Sequence, residues 1–342
     1  MQTWSYYIKT IYRKEENMKK VAFFDTKPYD RIYFDKLGKN YEITYFEEKL
    51  NHHTAKITEG FDAVCAFVNS DINAKAIERM YNNGVKVLAM RCAGYSNVDI
   101  KAAKDKISVV RVPAYSPHAV AEHALALLLS LNRKIYRAYI RTRDFNFNIS
   151  GLTGIDLYGK TAGIIGTGKI GKTFIEICLG LGMNILAYDP YPDSALGVKY
   201  VSLDELFSQS DIISLHCPLT ESTHHIIDKG AFDIMKQGAF ILNTSRGALI
   251  DSEALLEALN SGKLRGAALD VYEEEADVFY EDMSDKIIKD DTLALLMSRP
   301  NVLITSHQGF LTEEALENIA EVTIENLDNF FAGKELTNQV KA

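Results

Sequence analysis

Three short stretches of this chain put chemically capable side chains at the end of an apolar run. NTSRG (243–247) offers Arg246, LDVYEEE (269–275) offers Asp270 and three glutamates ending in Glu275, and TSHQ (305–308) offers His307. An arginine fork can hold a carboxylate through parallel bonds and polarise a neighbouring ketone. A histidine can deliver or accept a proton near neutral pH, and a carboxylate behind it can orient the ring. Taken singly, each has a plain reading as a surface arginine, a solvated acidic turn or a satisfied core histidine. Together they form the set needed for hydride transfer to a 2-keto acid. Zinc fits less well. His118 and His123 are five apart and no CxxC pair accompanies them, so no metal is expected.

A fourth stretch says where the hydride would come from. GIIGTGKIGKTF (163–174) sets Gly166, Gly168 and Gly171 in G-x-G-x-x-G spacing, after an apolar run and before a helical pattern. Bare amides at a helix start suit a pyrophosphate. The next apolar run ends in Asp189, an acid suited to a ribose hydroxyl pair and hostile to a 2′-phosphate. NAD is therefore favoured over NADP.

These residues need a scaffold, and the hydropathy pattern supplies one. Short apolar runs at 21–24, 43–46, 63–68, 85–90 and 108–112 alternate with helical segments, and the alternation resumes at 161–166 and continues to 301–307. Such runs, without polar alternation, suit strands buried on both faces of a parallel sheet. The fold class is α/β, with two doubly wound parallel-sheet domains (Rossmann-like or flavodoxin-like) and a cleft between them. One long helix is predicted from Pro117 to about Arg143, and a last helix from about Thr312 to Gly333. Ser252 or Asp251 can cap the helix over 252–263.

A chain of 342 residues suggests two domains, and 47% hydrophobic with 25% charged residues is ordinary for a globular protein. The net charge of −8 argues against a nucleic-acid or polybasic membrane surface, and no apolar run is long enough to span a bilayer. Four widely spaced cysteines read as reduced thiols in a cytoplasmic protein. Residues 1–17 stand apart as an N-terminal extension with no role in the fold, because MKKVAFFD (18–25) reads as an ordinary start.

GTGKIG, HCPLT, NTSRGALID, LDVYE and SHQGFLTEEAL together resemble the D-isomer-specific 2-hydroxyacid dehydrogenases, and the resemblance runs from 18 to 338. It implies NADH-dependent, reversible reduction of a 2-keto acid. RCAGYSNVD (91–99), the stretch 109–163 and the long insert 276–300 point to the branch that converts pyruvate to D-lactate. It also implies roles: Arg246 for substrate, His307 for the proton and Glu275 as its partner, five residues after Asp270. Tyr115 and the amides of Ala93 and Gly94 would hold the substrate carboxylate from the other domain. Lys169, Ile170, Asp189, Cys217, Pro218, Thr223, Thr244 and Ser245 would contact NAD beside the glycine loop, with Asp270 near the nicotinamide carboxamide. The implied domains are a substrate domain over 18–116 completed by 310–342, and an NAD-binding domain over 117–309. The helix after Pro117 resembles an arm that pairs two subunits, so a homodimer or larger homo-oligomer is implied. Two other readings remain open: a dehydrogenase for a bulkier 2-keto acid, and an NAD-responsive co-repressor sharing fold and trio.

Overall fold

The computed structural model describes residues 18–275 and 278–341. The extension expected over 1–17 lies outside them. The chain divides into two compact units: one ends its first pass at Ser116 and resumes at Thr312, and the other is Pro117–Leu311.

The first unit holds five parallel strands: β1 (Lys19–Phe23), β2 (Tyr41–Tyr45), β3 (Ala63–Ala66), β4 (Val87–Met90) and β5 (Ser108–Arg111). Their order is β2-β1-β3-β4-β5. β3 and β4 are buried at every residue, which is why they read as unbroken apolar runs. The helix Glu313–Phe331 begins where Thr312 accepts a bond from the Ala315 amide. Its Ala320, Ile324 and Leu327 share a core with Val21, Phe23, Cys65 and Val87. The chain end then lies along β5, where the Arg111 amide donates to Asn338 and the Val340 amide to Val109.

The second unit holds seven parallel strands: β6 (Thr161–Ile165), β7 (Asn184–Tyr188), β8 (Lys199–Tyr200), β9 (Ile212–Leu215), β10 (Ala239–Asn243), β11 (Leu264–Leu269) and β12 (Val302–Ile304). They are ordered β12-β11-β10-β9-β6-β7-β8. Successive residues of β10 face opposite ways. Phe240 and Leu242 join a core with Leu128, Phe174 and Ile212, whereas Ala239 and Ile241 join one with Phe232, Leu255 and Ile213. Both faces are covered, as a parallel sheet requires. Chain order reverses between β9 and β6, so the loop after β6 sits at the switch point where such sheets bind ligands.

The single helix predicted from Pro117 is instead two, Pro117–Arg133 and Ile135–Arg143, separated by Lys134 at φ +52°. The cause is local. The Asn132 side chain donates to the Ile155 carbonyl (2.8 Å) and accepts from its amide (2.9 Å), and Lys134 Nζ reaches Thr153. These bonds turn the chain out of its helical path, a break that hydropathy does not record. At the other open choice, Asp251 is the cap of the helix Ser252–Asn260. Among the described residues, no helix is long and apolar enough to cross a membrane.

Candidate active site

Because β10, β11 and β12 are parallel neighbours, the residues after them lie along one sheet edge, about 4.8 Å per strand. Arg246 follows β10, Asp270 follows β11 and His307 follows β12. The topology thus gathers three of the singled-out residues at one end of one sheet.

His307 Nδ1 lies 2.7 Å from Glu275 Oε1, and both side chains are only partly exposed. The other Glu275 oxygen accepts the Tyr272 amide at 3.0 Å, so the carboxylate is fixed at both ends. With Nδ1 committed to Glu275, Nε2 is the ring atom left to exchange a proton with a substrate. His307 itself takes a left-handed backbone, φ +55°. Its amide donates to the Asp270 carbonyl (2.7 Å) and its carbonyl accepts the Tyr280 hydroxyl (2.9 Å). Of the neighbouring acids, Glu273 turns instead to His225 (2.6 Å) and Glu274 is exposed.

Asp270 is 1% exposed and anchors the segment that carries His307. Its Oδ1 accepts from the Thr305 hydroxyl (2.5 Å) and the Gln308 amide (2.9 Å), with His123 Nε2 at 3.2 Å, and Oδ2 accepts the Gly309 amide at 2.7 Å. Burial works against the charge, but the bonds from His123 and Thr305 outweigh it and hold the carboxyl below its ordinary range. In the sequence His123 stands out only as a poor zinc ligand, and Thr305 and Tyr280 carry no signal of a role here. No spacing rule links position 123 to position 270.

The Arg246 loop is held to the same neighbourhood. Its carbonyl accepts from Asn243 Nδ2 (2.8 Å), and its guanidinium donates to the Ser245 carbonyl (2.6 Å). The next residue, Gly247, packs so closely that a Cβ there would meet the Tyr272 carbonyl at 2.0 Å and the Glu273 amide at 2.3 Å. Any side chain at 247 would push this loop away from the segment holding Glu275.

The loop after β6 fits a dinucleotide. Gly166 has φ +94°, and a Cβ would lie 2.6 Å from the Cys217 amide; one on Gly171 would strike the Gly166 carbonyl at 2.0 Å. Gly168 faces open space and is the N-cap of the helix Lys169–Gly180, which it caps with no side chain of its own. Lys169 and Ile170 open that helix. Asp189, just beyond β7, accepts the Thr167 amide (2.7 Å) and hydroxyl (3.0 Å) and the Tyr191 amide (2.9 Å). Partial burial opposes its charge, and these bonds, with Lys172, still keep its pKa low.

The remaining positions line the ends of β9 and β10. Burial pushes the Cys217 thiol up to about 11, so it presents an uncharged wall. The Cys217 carbonyl accepts from Ser245 Oγ (2.6 Å), and the Pro218 carbonyl from Thr223 Oγ1 (2.7 Å). Among the described residues Thr244 Oγ1 is buried without a partner, an atom that a bound polar ligand can satisfy. His216, beside Cys217, is partly buried: it sits 2.9 Å from Ser214 Oγ, and burial pushes its pKa down to about 4.

In the first unit, Ala93 and Gly94 follow β4. The Ala93 carbonyl accepts from Arg111 (2.6 Å) and the Gly94 carbonyl from the Cys92 thiol (3.2 Å). Arg91 before them is 2% exposed, lies beside Asp30 and stacks between Phe23 and Phe67. Tyr115 lies in the segment after β5.

Residues 125–309 match the family described as D-isomer specific 2-hydroxyacid dehydrogenase, NAD binding domain. The chain is 50% identical to D-lactate dehydrogenase of Escherichia coli (strain K12), across 94% of this chain and 99% of that one. The apo structure of the E. coli enzyme superposes with a TM-score of 0.87 at 49% identity, over the same 94% and 99% of the two chains. The pyruvate reductase of Chlamydomonas reinhardtii gives 0.90 at 41%, covering 94% of this chain and 98% of that one. D-lactate dehydrogenase of Aquifex aeolicus, solved with NAD and lactic acid, gives 0.83 at 30%, covering 94% and 99%. With its glycine cradle, its strand-end acid and these relatives along nearly its whole length, the chain belongs to the NAD-dependent D-isomer-specific 2-hydroxyacid dehydrogenases.

Proposed function

We propose that the protein reduces pyruvate to D-lactate with NADH, reversibly. The observation that carries this reading is the His307–Glu275 pair at 2.7 Å, set at the sheet edge that also bears Arg246. NADH, when bound, supplies the hydride for the carbonyl carbon. Arg246 holds the substrate carboxylate and draws charge toward the ketone oxygen. His307 Nε2 gives its proton to that oxygen as it becomes an alkoxide. Glu275 keeps the ring oriented and supplies the counter-charge while both ring nitrogens are protonated. In lactate oxidation, His307 takes the hydroxyl proton back.

The Ala93 and Gly94 amides and Tyr115 would also bind the carboxylate. Gly166, Gly168 and Gly171 with the Lys169 and Ile170 amides would seat the pyrophosphate, and Asp189 would receive the ribose hydroxyls. Cys217, Pro218, Thr223, Thr244, Ser245 and Asp270 would contact the rest of the cofactor. The protein works in the cytoplasm, a reading supported by four free, buried cysteines. It works as a homodimer or larger homo-oligomer, which the exposed Tyr139, Ile140, Phe145 and Phe147 within one short stretch support. Light scattering on the purified protein measures that state.

The decisive assay follows NADH oxidation with a panel of 2-keto acids and identifies the product with stereospecific lactate oxidation. Pyruvate is expected to give the highest kcat/KM and D-lactate the only product. Faster reduction of a branched or aromatic keto acid would move the assignment to a bulkier substrate. NADH binding without turnover would make the chain an NAD-responsive binding protein.

A further inference from the structure

Two adjacent histidines meet an acid that the proposed reaction does not use. His224, His225 and Glu273 each offer a ligand atom, and the three atoms lie within 4.8 Å of one another. His225 Nε2 is 2.6 Å from Glu273 Oε1, and the other Glu273 oxygen accepts the Ser252 hydroxyl at 3.0 Å. The two imidazoles lie 3.9 Å apart, centre to centre, at 31°. The backbone also positions His225. It has φ +50°, and its amide donates to the Ala248 carbonyl at 2.9 Å.

We propose that His224, His225 and Glu273 bind one divalent transition-metal ion of the zinc class. Two imidazole nitrogens and one carboxylate oxygen suit zinc, cobalt, nickel or copper. Calcium and magnesium prefer all-oxygen shells. Metal–ligand bonds of about 2.0–2.2 Å put tetrahedral ligand atoms about 3.4 Å apart, so the three atoms must draw together slightly. Exposed His224 is free of the core and can supply that movement by side-chain rotation. The ion takes the place of the proton between His225 and Glu273. Ser252 then orients the carboxylate from behind, as outer partners do at metal sites. All three ligands reach solvent, so water completes the shell. A bound ion ties the turn at 224–225 to the segment at 273, on either side of the loop that follows Arg246.

The test uses the full-length, tag-free protein, stripped with chelator and dialysed. Calorimetric titration with zinc chloride is expected to show one ion per chain. Cobalt is expected to give a visible band of nitrogen–oxygen coordination, and zinc to raise the Tm because it binds the native state. His224→Ala and Glu273→Gln should each weaken zinc binding at least tenfold and remove the cobalt band. His224→Ala should leave pyruvate turnover in chelator unchanged, which shows that the variant is folded. His52→Ala is the control, because His52 and His53 also stack (3.7 Å) but belong to no such cluster among the described residues. Absence of stoichiometric binding overturns the proposal. So does binding that survives both ligand substitutions, or binding that His52→Ala abolishes.

Discussion

Glu275 binds at both ends, to the His307 ring and to the Tyr272 amide, so its charge and its position are separable by mutation. Glu275→Gln keeps the size but offers the ring an uncharged partner. Loss of a charge-assisted bond of about 1.5–3 kcal/mol should lower kcat/KM for pyruvate at least tenfold, with NADH affinity unchanged. Stopped-flow reduction and fluorescence titration measure the two quantities, and an unaltered kcat/KM would remove Glu275 from the mechanism. Arg246→Lys keeps charge and loses the fork, so it should raise KM for pyruvate and cut kcat/KM at least tenfold as well. Arg246 and His307 were legible in the sequence because each follows an apolar run with little between. The choice among three consecutive glutamates was not legible from residue types. It rests on resemblance, and only the folded chain turns Glu273 to His225 and Glu275 to His307. The His224–His225–Glu273 cluster was invisible for a related reason: no ligand-spacing rule spans the distance from 225 to 273.

At the scale of elements, a buried carboxylate after one strand sets the conformation after the next. Asp270 receives two amides and a hydroxyl from the segment 305–309, with His123 also at hydrogen-bonding distance, and the same segment puts His307 in its left-handed turn. Asp270→Asn leaves one acceptor and turns an NH2 toward an amide or a hydroxyl. A cost of about 1.5–3 kcal/mol is expected, read as a lower Tm, together with reduced kcat as His307 loses its seat. The sign of the pH dependence follows from the direction of the shift. A carboxyl held below its ordinary range stabilises the fold fully above about pH 4 and loses that contribution as pH falls through its depressed native value. Wild-type stability should therefore fall more steeply below pH 4 than that of Asp270→Asn. Equal slopes in acid denaturation would show that the charge is not what holds the segment. The apolar runs forecast most of these strands. The break at Lys134 and the His123 contact escaped, because both depend on side chains pairing with distant backbone or strand-end groups.

The whole molecule is threaded so that its last residues finish its first sheet. The Asn338 carbonyl and the Val340 amide bond to β5, and Asn338 Nδ2 donates to Asn326 Oδ1 (3.0 Å) in the terminal helix. Deleting residues 334–342 should therefore lower the melting temperature of the first unit by several degrees and leave NADH binding by Pro117–Leu311 intact. Scanning calorimetry and NADH fluorescence titration separate the two effects, and a loss of NADH binding would count against two independent cores. The same threading sets an order of events on the ribosome. Residues 18–116 emerge first, yet Ala320, Ile324 and Leu327 of their core are made last, after every residue of the seven-stranded sheet. The later-encoded unit can close while the earlier one still exposes apolar surface. A released chain that ends at residue 311 should thus already bind NADH and yet recruit chaperones through its amino-terminal third.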